Sequence, residues 1–399
     1  MKRLALGLII ITSLLAACSN GTDVTTSQGE KATGVTDTSI KIGAWLPLTG
    51  GVAAHGILQQ TGMNAYFEMI NDNGGVNGKK IEWIVEDNAF DPQKTVAAAR
   101  KLVERDKVFA VVGSNGTAQS AATFPYLLDQ AKVPFLPGQG GANDWWNPVK
   151  PNLFGVQVVY ENQAQALGHW AAKEGAKNIV VVHSDPAAFI NVAKAVEPGV
   201  NTISKEASVN LLPVKFGTSD YAPIGLEIAN KKPDAVVAIL AVEELIAFSK
   251  ALNRQNLDVP IYTYAPNVSN DTLELGGKAI EGLRAMSYTV PPTIDTPEVE
   301  EYREALKKYE PSAHPDFQSL YMWGVAKVFV EAINQVDGPL TRESFVQSLK
   351  SMENFENGII PPVTFSEGDH MGVKELQPVM VENGEWNTVG DFIDPDKEW

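Results

Sequence analysis

Short apolar runs alternate with helix-spaced stripes twice along this chain, and that rhythm leaves few architectures open. The first cycle starts at "SIKIGAWLPLTG", where Ile40, Ile42, Ala44 and Leu46 alternate with other residues until Pro47 and Gly50 break the run, as a strand and a loop do. Met63, Tyr66, Phe67 and Ile70 then fall at i, i+3, i+4 and i+7, one face of a helix. "NDNGGVNGKK" supplies a stop and a turn. Ile81, Trp83 and Val85 alternate as a second strand, Asp91-Pro92 is a helix-start pair, and Val96, Ala99 and Val103 give the next stripe. "VFAVVG" (108–113) is apolar throughout, as expected of a strand covered on both faces. A helix over 117–130 and the run "VPFLP" close the cycle. The second cycle offers strands at "NIVVVHS", "DAVVAIL" and "VPIYTY", with a helix over 243–256. Such alternation predicts parallel α/β sheets, and the break near 154–161 predicts two α/β lobes. Ligands of open parallel sheets bind at the carboxyl ends of strands, so the loops after Leu46, Val112, Leu136, Val182, Leu240 and Tyr262 are the candidates for a site.

The chain begins differently. Lys2 and Arg3 precede an apolar run from Leu4 to Ala17, too short for a permanent bilayer span and ending in small residues, which fits an export signal over 1–17. The one cysteine, Cys18, closes "LAAC", which resembles the lipobox of bacterial lipoproteins. That resemblance implies a lipidated N-terminus at Cys18, and no thiol is then left for a disulfide, a metal or catalysis. Residues 18–38 are poor in large apolar side chains and are expected to form a flexible tether. The body would then work outside the cytoplasm, lipid-anchored to a bacterial membrane.

The net charge of −16 becomes −18 once Lys2 and Arg3 leave with the signal, which argues against nucleic-acid binding. There is no G-x-S-x-G elbow, Walker loop or H-E-x-x-H, and His55, His169, His183, His314 and His370 lack ligand spacing. No enzyme, cofactor or metal is expected. "GQGGAN" (138–143) lacks the third glycine of a dinucleotide loop. Two loops invite a small polar ligand. In "GSNGTAQSA" (113–121), Asn, Thr and backbone N–H groups can hold a carboxylate; in "PGQGG" (137–141), glycines permit close backbone approach. Plain helix capping by Ser114 or Asn115 and a tight glycine turn account for the same residues.

The stretch from "IKIGAWLPLTGGVAAHGILQQTGMNAYFEMINDNGGVNGKKIEW" to "VFAVVG" resembles the opening lobe of the branched-chain amino-acid binding protein family, the type I periplasmic solute-binding proteins of ABC importers. "LYMWGVAKVFVEAI" and "PPVTFSEGDHMG" resemble its later landmarks. The resemblance implies two Rossmann-like lobes joined by a three-segment hinge near 154–161, 287–291 and 355–360. The first lobe would hold 39–157 plus 289–355 and the second 158–288 plus 356–399. It implies ligand contacts at Asn115, Gly116 and Thr117, then Gly138, Gln139 and Gly140, with His55 and Phe189 where aromatic contacts stand in the family. Gly140 replaces a hydroxyl residue that amino-acid binders usually carry.

One departure bears on the ligand. The family usually places an acid after the "VPIYTY" strand for the ligand ammonium, but "APNVSN" has none before Asp271. Either Glu243 or Glu244 takes over, or the ligand has no amine; the pair also suits the first turn of a helix. Trp145 and Trp146 suit either a pocket wall or a lobe edge. The expected function is an extracytoplasmic monomer that delivers a small solute to ABC permease subunits, an amino acid first and an amine-free carboxylate second. A sensor passing its signal to a receptor is the alternative.

Overall fold

The computed structural model describes residues 32–395 and Lys397; the signal, Cys18 and residues 19–31 lie outside the described residues. Residues 32–38, expected as the end of a tether, are folded. Lys41 N–H donates to Gly34 carbonyl at 2.8 Å, Thr36 Oγ1 accepts from Ser39 N–H at 2.8 Å, and Val35 packs on the core. Gly34, at φ +82°, makes this possible, because a Cβ there would collide with the backbone of Phe109.

The first sheet is parallel, with β1 (Ser39–Leu46), β2 (Lys80–Asp87), β3 (Ala110–Val112) and β4 (Phe135–Leu136) in the order β2-β1-β3-β4. The second holds β5 (Asn178–Ser184), β6 (Ser208–Val214), β7 (Ala235–Ile239), β8 (Ile261–Thr263), β9 (Arg284–Ser287), β10 (Gln377–Glu382) and β11 (Glu385–Thr388). Its order is β11-β10-β9-β8-β7-β5-β6. The ladder is parallel from β9 to β6, but β10 and β11 join antiparallel. These two strands return from the far end of the chain through a tight turn at Asn383 and Gly384, both at positive φ. Asn-Gly is a strong hairpin signal, and it was available in the sequence.

Local chemistry explains the helices that carry the site. Asp91 accepts from Gln93 and Lys94 N–H at 2.7 and 2.9 Å, starting the helix Pro92–Arg100. The helix Ala53–Asp72 buries Met63, Tyr66 and Phe67 against the helix Phe317–Asn334. The two approach so closely at Gly62 that a Cβ would lie 1.9 Å from Ser319 carbonyl. Tyr66 packs edge-on to Trp323 at 4.8 Å. Helices from residues 297–350 thus complete the first lobe.

Three passages link the sheets. Gly155 pairs with Met371, and Val290 N–H bonds Ile359 carbonyl at 3.1 Å. The third passage is corrected from 355–360. Ile359 and Ile360 lie against Gly324 of the buried helix, Lys350 pairs with Glu367, and Phe365 packs on Phe154 at 5.3 Å. Residues 356–370 therefore stay with the first lobe, and the chain reaches the second sheet through 371–377, where Gln377 pairs with Ser287. Apolar side chains inside this stretch bury on the nearest free helix surface, which no residue pattern in the stretch itself announces.

Candidate functional site

A cavity of about 330 Å³ lies between the two sheets. Its walls come from the ends of the parallel strands: Pro47 after β1, Phe90 after β2, Asn115 to Gln119 after β3 and Gln139 after β4. On the other side stand Phe189 after β5, Phe216 after β6, Val242 and Glu243 after β7, and Tyr264, Pro266 and Asn267 after β8. Strand carboxyl ends converge there because each is followed by a loop lifted off the sheet.

The first-lobe wall is a network of neutral amides around one imidazole. Asn115 Nδ2 donates to Gln59 Oε1 at 2.6 Å and lies 3.2 Å from Gln139 Oε1. Gln59 Nε2 donates to Gln139 Oε1 at 2.8 Å, and His55 Nε2 also hydrogen-bonds that oxygen. Gln139 Nε2 reaches Gln318 Oε1 at 3.3 Å, and Gln318 Nε2 donates to the carbonyls of Ala265 and Val268 across the cleft at 3.1 and 2.9 Å. The strand-end loops are zipped together beneath, with Gly116 N–H donating to Gln139 carbonyl and Gln139 N–H to Ser114 carbonyl.

Of the expected residues, His55, Asn115, Gly116, Thr117, Gln139, Phe189 and Glu243 share this cavity. Gly138 and Gly140 do not line it. A Cβ on Gly138 would strike Met322, and its carbonyl accepts from Tyr321 Oη at 2.7 Å. Gly140 backs onto Gly116 and donates to Gln157 Oε1 at 2.9 Å. Both glycines let the loop close on the core behind the wall rather than present backbone to the cleft. Thr117 lines the cavity, and its hydroxyl also accepts from Gly141 N–H at 3.3 Å.

Glu244 does not line the cavity. It is buried, and its carboxylate accepts from Ser184 Oγ at 2.6 Å, Gly217 N–H at 2.7 Å and Ala241 N–H at 3.1 Å. Trp145 is buried against Phe124, with centroids 5.1 Å apart, and Trp146 presses on Gly155, so both pack the first lobe.

Several residues of the site were not anticipated: Gln59, whose bonds back the wall, and Phe90, Tyr160, Tyr264, Asn267 and Asp271 on it. Phe90 sits at φ +57°, held by Asn88 Oδ1 on its N–H and by Gln119 Nε2 on its carbonyl, a left-handed conformation no residue pattern reveals. Asp271 could have been found one helical step beyond "APNVSN", since Ser269 caps the helix Asn270–Gly276 and turns it toward the cleft.

Among the described residues, the wall carries two acids, Glu243 and Asp271, and no Lys or Arg. Burial lowers the His55 pKa, partly offset by its bond to Gln139 and by the Asp271 charge, so the ring is held toward neutrality. Burial also pushes Tyr160 up to about 12, so its hydroxyl stays protonated. At the N-terminus of the helix Phe317–Asn334, burial raises Asp316 to about 6 against the pull of the backbone N–H groups of Asn270, Gln318 and Ser319. Among the described residues, no group of three or more His, Cys, Asp or Glu could hold a metal, and no helix is long and apolar enough to cross a membrane. A neutral hydrogen-bonding floor, apolar and aromatic sides and two acids suit an amphiphilic solute small enough to be enclosed.

Comparison with known proteins gives concordant results. A family model described as periplasmic binding protein matches residues 39–385. A Leu/Ile/Val-binding protein homolog 7 from Brucella abortus is 25% identical over 320 residues, covering 75% of this chain and 78% of the relative. A branched chain amino acid ABC transporter from Thermus thermophilus, solved with bound valine, superposes with a TM-score of 0.82 at 17% identity over 90% of this chain and 97% of its own. A fatty acid ABC transporter substrate-binding protein from Thermomonospora curvata gives 0.80 at 21% identity over 92% and 95%. Both structures show the same fold.

Proposed function

The chain belongs to the periplasmic binding protein family, and from that premise we propose that it captures a small organic solute between its two lobes and hands it to the membrane subunits of an ABC importer. The family places it outside the cytoplasm. The observation that carries the reading is the inter-sheet cavity, walled by strand ends of both lobes, with neutral polar groups on one side and Phe189, Phe216 and Tyr264 on the other. Capture works by hinge closure: the solute binds one lobe, and the other folds over it through the three passages. The polar network with Asn115, Thr117 and Gln139 orients the polar end, and the apolar walls select the rest.

A branched-chain or other amino acid is the leading solute. Glu243 and Asp271 on the wall support an ammonium, because an ammonium enclosed with the solute needs an opposite charge to offset its desolvation. An amine-free carboxylate is the second reading, supported by the amide Asn267, rather than an acid, in the loop straight after β8. Anchoring through a lipidated Cys18 is supported by "LAAC" behind the apolar leader. The carrier is expected to act as a monomer, without cofactor and without turnover of its solute.

Thermal unfolding of ligand-stripped protein tests the reading. Amino acids and their amine-free analogues are added singly, and a solute at a hundred times its Kd should add about 2.7 kcal/mol of stability. If no amino acid or carboxylate shifts the melt, or if any is chemically converted, the carrier reading is wrong.

A further inference from the structure

We propose that the first turn of the helix Phe317–Asn334 is a latch that holds the lobes shut over a captured solute, with Gln318 and Asn270 as its positioning residues; this rests on the solute-capture reading above and adds what keeps the closed form closed. The helix belongs to the first lobe, where Gly62 lets the helix Ala53–Asp72 press on Ser319 carbonyl and Tyr302 Oη accepts from Asp316 N–H at 3.0 Å. Facing it are residues 265–270, which follow β8 in the second lobe. Their own lobe holds them, since Asn267 Nδ2 donates to Leu240 carbonyl at 3.1 Å and Trp386 Nε1 of β11 donates to Ser269 carbonyl at 3.1 Å. Across the gap, Gln318 Nε2 donates to the carbonyls of Ala265 and Val268 at 3.1 and 2.9 Å. In return Asn270 donates through its N–H to Asp316 Oδ2 and through Nδ2 to Pro315 carbonyl, both at 2.6 Å. Between these bonds the ring of Phe317 is buried in the second-lobe apolar cluster that holds Val268 and Trp386.

None of the three passages between the lobes includes these residues, so rotation about the passages can part them. The latch is also tied to the cavity. Carbonyls only accept, so Ala265 and Val268 fix the Gln318 amide with its nitrogen toward the second lobe. Its Oε1 is thereby turned back to accept from Gln139 Nε2 at 3.3 Å, and Gln139 lines the cavity beside Asn115 and His55. A solute settled on that wall steadies Gln139, and through it Gln318, for the bonds that close the lobes. Closing exchanges bonds to water for bonds within the protein at a buried place, where loss of one partner leaves the other unmatched. The closed form therefore loses more than the open form when Gln318 or Asn270 is truncated.

Stopped-flow kinetics on the ligand-stripped chain test the latch, with leucine, 4-methylpentanoate, phenylalanine and 3-phenylpropanoate as probes. Solute enters the open form, in which the latch is undone, so Q318M and N270A should capture a probe at about the wild-type rate. Release must undo the latch. It should be about tenfold faster in Q318M, which gives up the bonds to Ala265 and Val268, and about fivefold faster in N270A, which gives up the bond to Pro315. N270A alters a half-buried side chain at the first position of its helix, so it carries the test even where Q318M does not fold. Without solute the N270A melting curve should match wild type, because the latch then stands open. A permanent seam between the lobes would do the opposite, lowering that melt and leaving release unchanged, and such a result overturns the proposal. Folded Q318M and N270A that both release at the wild-type rate overturn it too, as does a loss confined to the capture rate. In each of these cases the carrier reading stands. Wild-type protein that binds none of the four probes overturns the carboxylate-carrier reading itself, and the latch with it.

Discussion

Asn115 Nδ2 lies 2.6 Å from Gln59 Oε1, joining the loop after β3 to the helix Ala53–Asp72 through a bond buried from solvent. It makes the floor of the cleft a property of two elements rather than one loop. Gln59 and Asn115 meet again at Gln139 Oε1, so each amide holds the other in place for a third. Replacing Asn115 with leucine should leave Gln59 Oε1 without its donor and cost about 1–3 kcal/mol. Because the bonds form one network, Q59L added to N115L should cost less than the two singly, by about 0.5–3 kcal/mol. Urea unfolding of the double-mutant cycle measures this, and strict additivity would argue that the network is not cooperative.

His55 should make stability depend on pH. Burial lowers its folded pKa below the ordinary 6.5, so between those values the unfolded chain binds more protons than the folded one. That favours folding at high pH, and the contribution is lost as pH falls from 6.5 toward the lowered value. Asp316 works oppositely. Its carboxyl is raised from 3.8 to about 6, so it destabilises the fold above that window and this penalty is relieved on acidification through it. H55Q keeps a hydrogen-bonding side chain without the titration. The stability of wild type relative to H55Q should therefore decline as pH falls below 6.5; a flat difference from pH 7.5 to 5 would show that His55 is not shifted.

Glu243 and Glu244 are neighbours with different duties. E244A removes the acceptor of Ser184, Gly217 and Ala241 from a buried place and should lower stability by about 1–3 kcal/mol. E243A, on an exposed residue of the cavity wall, should leave the melting temperature nearly unchanged. Equal losses in both would contradict the division drawn here.

Gly62 should tolerate no side chain. A methyl group there meets Ser319 carbonyl at 1.9 Å, a backbone atom of a buried helix that cannot rotate away. G62A should cost about 1–3 kcal/mol by forcing the two helices apart. Gly368, which has open space at its Cβ position, is the control, and G368A should melt close to wild type.

How much was legible in the sequence follows from how far each feature reaches along the chain. The two runs of strands and helices were readable because a strand buried on both faces must be apolar throughout, and a packed helix must repeat its apolar face every three to four residues. Those are local demands, and Ala110 to Val112, Ala235 to Ile239 and the cap at Asp91 answer them in place. The loops at the carboxyl ends of the strands were legible for the same reason. Partnerships were decided only in three dimensions. Asn115 and Gln59 are far apart in the chain, Gly138 turned out to face Met322, Glu244 was taken by Ser184 and Gly217, and residues 356–370 chose the first lobe because its helices offered them apolar surface. Sequence alone determined which segments must be buried, since burial is set by composition and period. Tertiary structure decided which polar atoms are satisfied from within, since a hydrogen bond depends on atoms brought within 3 Å by chain segments that carry no record of one another.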